Sequence, residues 1–144
     1  MVNSDTIKLL KECDAGSKMA VSSIDDVVEK IRDSSMKSLL QESKEHHEKL
    51  GNEIHSLLNK YGKNEKDPAP MAKGMSWMKT NVKMVMDDSD ATVADLITDG
   101  CNMGIKSLYR YLNQYKAADD TSKDICNKLV AIEEELRRGL RDYL

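Results

Sequence analysis

The chain has 144 residues, 33% of them charged, and a net charge of −3. That length suits one domain spanning residues 1–144, and the mixed charge offers no basic footprint for nucleic acid. No apolar run approaches the ~18 residues needed to cross a bilayer, and MVNSDTIKLLKEC lacks the apolar stretch of a secretory signal, so the expected location is the cytoplasm.

Apolar residues recur at three-and-four spacing almost throughout, which predicts an all-α protein. With 4% aromatic residues and no phenylalanine, the core must come from Leu, Ile, Val, Ala and the nine methionines, an adaptable filling. Asn3 or Ser4 can cap a first helix whose inward stripe runs through Ile7, Leu10, Cys13 or Asp14, Ser17, Val21, Ile24, Val28 and Ile31, ending near Asp33. Ser34 and Ser35 restart a second helix along Met36, Leu40, Ser43, His47, Leu50, Ile54, Leu57 and Tyr61, stopped by Gly62. So tight a connection predicts an antiparallel hairpin.

Pro68 and Pro70 bar continuation, and Pro70 suits the start of a shorter helix with Met71, Met75, Met78, Val82 and Val85 on one face. Ser89 or Asp90 caps a third long helix through Val93, Ile97, Gly100, Met103 or Gly104, Ser107, Leu108, Tyr111 and Tyr115. KAADDTSKD turns the chain into a last helix from about Thr121 to the C-terminus, with Ile125, Leu129, Ile132, Leu136, Leu140 and Tyr143 inward. A four-turn helix covers ~24 Å and each flanking extended residue roughly 3.3 Å, so residues 63–88 can cross a bundle ~40 Å long. Two antiparallel hairpins joined by a long crossover containing a short helix make a ferritin-like four-helix bundle.

In LLKECDAGSKMA, SLLQESKEHHEKLGNEIHSLLNKYG, WMKTNVKMVMDDSD and DLITDGCNMGIKSLYRYLNQ, taken in that order, the chain resembles a bacterial family of ferritin-like proteins of undefined function. The resemblance covers nearly the whole chain and implies the fold without implying a reaction.

KEHHEKLGNEIH holds all three histidines. At ~100° and ~1.5 Å per residue, His46 and His55 face opposite ways and His47 lies ~12 Å from His55, so no two can share an ion within this helix. Gly51 stands where a zincin's second histidine would be. A ferritin-like dinuclear centre needs Glu-x-x-His on two helices; His46, His47 and His55 instead follow Ser43, Lys44 and Asn52 by three residues. His46, Glu45 and Glu48 read as a solvated face with Lys44–Glu48 and Glu45–Lys49 pairs. On an apolar stripe His47 reads as a core residue hydrogen-bonded to Glu133 or Ser17, at a level expected to hold Ala20 or Val21 and Met103. Cys13, Cys101 and Cys126, without CxxC spacing, read as buried free thiols.

These observations point to a bundle without a classical di-iron centre and with no cofactor, acting through a protein partner or as a homodimer. The alternative is an atypical metal-binding protein or oxidoreductase that holds iron or another transition metal with His47, Glu133 and Asp14. A third possibility is a carrier with an apolar pocket beside Ser17, Ala20, Gly100 and Gly104.

Overall fold

The structure, a computed structural model, describes residues 2–62 and 88–144. Among them it is all helical: α1 (Ser4–Val27), α2 (Ser34–Lys60), α3 (Asp90–Gln114) and α4 (Asp120–Gly139), with short 3-10 turns at Val28–Lys30 and Arg141–Tyr143. The expected helix along Met71–Val85 lies outside the described residues.

Each long helix begins with a side chain that accepts a backbone N–H otherwise left without a partner. Asn3 accepts from Thr6 and Asp33 from Met36, both at 2.8 Å. Ser89 accepts from Thr92 at 3.3 Å and Asp119 from Ser122 at 2.8 Å. Asp33 is thus the α2 cap and Ser34 opens the helix, as expected, whereas the α4 cap is Asp119, two residues before the expected start. α1 also stops earlier than its apolar stripe suggests. The chain tightens into the 3-10 turn after Val27, which brings Ile31 into the core just before α2 begins. At the far end of α2, Gly62 takes a φ of +71°, a left-handed conformation natural to glycine.

Side chains at the helix ends fix the relative directions. Both carboxylate oxygens of Asp90 accept backbone N–H groups from the α1–α2 turn, Arg32 and Asp33, each at 2.9 Å. At the opposite end, Thr6 Oγ1 accepts the Asp119 N–H at 2.8 Å and Asp5 accepts the Ala117 N–H at 3.0 Å. The starts of α2 and α3 thus lie together, as do the starts of α1 and α4, and Gly62 and Asp88 stand at opposite ends. Helices α1 and α4 each pack against all three others.

Two apolar clusters fill the interior. One gathers Leu9, Leu10, Ile54, Leu58, Ile125 and Leu129; the other gathers Ile24, Val27, Met36, Leu40, Ile97 and Leu140. Between them every long helix contributes a polar or minimal residue: Ser17, Ser43 and His47, Gly104, and Glu133. On α3 the buried line is Val93, Ile97, Cys101, Ile105 and Leu108, which leaves Met103 51% exposed instead of inward. Similarly Leu58, not Leu57, closes the buried line of α2.

The two amides bonded to Asp90, Arg32 first and Asp33 second, hold its carboxyl below the usual carboxylate value. Because these bonds favour the ionised form only in the folded chain, their stabilisation is complete above the unfolded carboxylate pKa of about 3.9 and is lost as pH falls through the lower folded value. Asp90→Asn should therefore melt below the wild type at pH 7, and the gap should close on acidification below about pH 4. Thermal melts across this range test it, and a gap independent of pH would contradict the assignment.

Candidate functional site

The polar layer centres on His47, whose ring is fully buried. Ser43 sits one turn earlier on the same face of α2, and its carbonyl oxygen lies 2.8 Å from His47 Nδ1, with its hydroxyl 3.4 Å away. From α4, Glu133 Oε1 lies 2.9 Å from Nε2. A carbonyl oxygen can only accept, so Nδ1 carries a hydrogen and donates to Ser43. An ionised carboxylate also only accepts. The short Nε2–Oε1 contact therefore requires a proton between the two residues, on the imidazole or on the carboxyl group. This proton is shared between two helices at a largely buried position.

Cys101 of α3 abuts the same carboxylate. Its thiol is pushed far up, first by burial and then by the charge of Glu133 and a hydrogen bond to it, so it remains a protonated donor rather than a nucleophile. Gly104 lies on the same side. A Cβ placed there would meet the Glu133 carboxyl group at 3.6 to 3.8 Å, ordinary contact distances. A closer approach is between α1 and α2, where a Cβ on Gly51 would come within 3.1 Å of Ser17 Oγ.

His47 and Glu133 are thus brought together, whereas Asp14 is engaged elsewhere. Its carboxylate, 4% exposed, pairs with Lys18 Nζ one turn along α1 at 3.1 Å. Ser17 donates to the Asp14 carbonyl oxygen at 2.9 Å rather than to His47. His46 and His55 face outward with Glu45, Glu48 and Glu53. Lys44 pairs across the hairpin with Asp25 at 2.6 Å, in place of an expected partner one turn along its own helix. Among the described residues, no three His, Cys, Asp or Glu side chains are placed to hold a metal ion, and no helix is long and apolar enough to cross a membrane.

A cleft between α2 and α4, lined by Leu39, Ser43, His46, Ile132, Glu135 and Leu136, has a volume of about 20 Å³. It is room for one water molecule. The contact of Cys101 with Glu133 escaped the sequence reading, which placed Met103 at this level. Its signal was the four-residue step Val93, Ile97, Cys101, Ile105.

Removing one partner of a buried pair strands the other without a proton-sharing neighbour. His47→Ala should therefore cost roughly 3–5 kcal/mol, including the cavity it leaves. Replacing both residues with leucine, in His47→Leu/Glu133→Leu, should recover most of that loss. Urea unfolding of the wild type and the two variants measures both effects, and a double variant no better than the single one would show that the apolar replacement fails to repack. No family model, curated protein or solved structure matches the chain.

Proposed function

We propose that the chain is a ferritin-like bundle that lacks the dinuclear metal centre and acts in the cytoplasm by protein contact, through a partner or a second copy of itself. The observation that carries this reading is the self-sufficiency of the buried layer. Both ring nitrogens of His47 are engaged, by the Ser43 carbonyl and by Glu133, at a level where a dinuclear centre would require four carboxylates and two histidines. Support for the ferritin-like arrangement comes from the common end shared by the starts of α2 and α3. The three buried free thiols suit a reducing compartment. On the outside of α3, Met103 and Tyr109 are 51% and 47% exposed, apolar surface available for contact.

A second reading is an oxidoreductase or metal-handling protein with iron or another transition metal at His47, Glu133 and Asp14. The closeness of His47 and Glu133 favours it, while the Asp14–Lys18 pair weighs against Asp14 as a ligand.

Elemental analysis of untagged protein separates the readings, as purified and after anaerobic iron(II) loading and buffer exchange. The contact module should retain no stoichiometric metal in either state. Stoichiometric metal that disappears in His47→Ala would overturn it and establish the second reading.

A further inference from the structure

We propose that Cys13 and Cys126 form an oxidisable dithiol that closes into an intramolecular disulfide between the first and last helices. The argument begins with register. Thr6 Oγ1 accepts the Asp119 N–H at 2.8 Å, which levels the start of α1 with that of α4. The two helices run in the same direction from that tie and climb equally per residue, so positions 113 apart stay level. Gly16 and Leu129 obey this offset, since a Cβ on Gly16 would lie 3.8 Å from Leu129 Cδ2. Cys13 and Cys126 have the same offset, two turns beyond the tie. Both are fully buried in one apolar cluster, and each thiol perturbs the ionisation of the other. Cys101 belongs to the other cluster.

The pair is chemically unequal. The Cys126 thiol donates to the Leu108 carbonyl oxygen at 3.7 Å. Interaction with Cys13 favours the Cys126 thiolate and lowers it from the usual thiol value, whereas the same interaction, followed by burial, pushes Cys13 well up. Either sulfur gives the same product by attacking first as its thiolate, Cys126 for example. With hydrogen peroxide as oxidant, its sulfur attacks one peroxide oxygen and the O–O bond breaks. The departing hydroxide takes a proton and leaves as water, giving a sulfenic acid. Cys13 sulfur then attacks the sulfenic sulfur, forming the S–S bond and releasing a second water. Two thiols lose two electrons and two protons, and one peroxide becomes two waters. Because neither sulfur is exposed, reaction follows local opening of the α1–α4 contact. The inference is independent of either functional reading above.

The test treats reduced, folded wild-type chain with hydrogen peroxide at neutral pH, alkylates remaining thiols in denaturant, and maps peptides by mass spectrometry without reductant. The expected product is a monomer lighter by two hydrogens, with Cys13 joined to Cys126 and Cys101 alkylated. Cys101→Ala should give the same link; Cys13→Ala and Cys126→Ala should lose it. Three alkylated thiols after prolonged exposure, a link through Cys101, or links only between chains would overturn the proposal. The wild-type map decides it even where a cysteine variant does not fold.

Discussion

The buried carboxylate of Glu133 sets the constraint around which the interior is arranged. A carboxyl group with so little access to water needs donors within the protein, and His47 supplies one from across the bundle at 2.9 Å. Fixing that ring requires its other nitrogen to be satisfied, which Ser43 does from one turn earlier. Beside α3 the carboxyl group faces Gly104, where an added Cβ would stand at ordinary contact distance from it. Polar residues that would each be costly alone therefore form one mutually satisfied layer. Because its geometry ties α2 to α4, it also favours a single vertical alignment of those helices over shifted ones, a specificity that apolar packing alone supplies less sharply.

The helix ends complete the alignment. Asp90 gathers the two amides of the α1–α2 turn, while Thr6 and Asp5 reach the turn before α4. These ties are exposed or partly exposed, so their role is directional more than energetic. With ends and middle pinned, the core can be built from leucine, isoleucine, valine and methionine without aromatic anchors. The same alignment puts Cys13 opposite Cys126, a juxtaposition set by register.

Helical class, the four long helices, the start of α2 and its stop at Gly62 were legible locally, because capping and apolar period operate within a few positions. The end of α1 and the start of α4, by contrast, were misplaced by a few residues. The facing residues were harder to read. A stripe with three-and-four spacing admits neighbouring choices 100° apart, and packing decided for Leu58 over Leu57 and for Cys101 and Ile105 over Met103. The polar intrusion of His47 into its stripe was visible, as was Glu133 as a partner for it. The four-residue step through Cys101 showed that it could face inward, but its sharing of that carboxylate depends on the level of α3 relative to α4. Asp14 looked inward and is inward, but Lys18 four residues later answers its charge.

The polar layer has a mechanical consequence. It separates two hydrophobic compartments that the helices run through without a break. When one compartment opens, the surface newly wetted at its inner boundary is a carboxyl group, an imidazole and two serines, all of which water can solvate. The penalty for stopping there is smaller than for exposing the next apolar layer. The layer is consequently a firebreak, the boundary at which an opening from either end would cost least to stop.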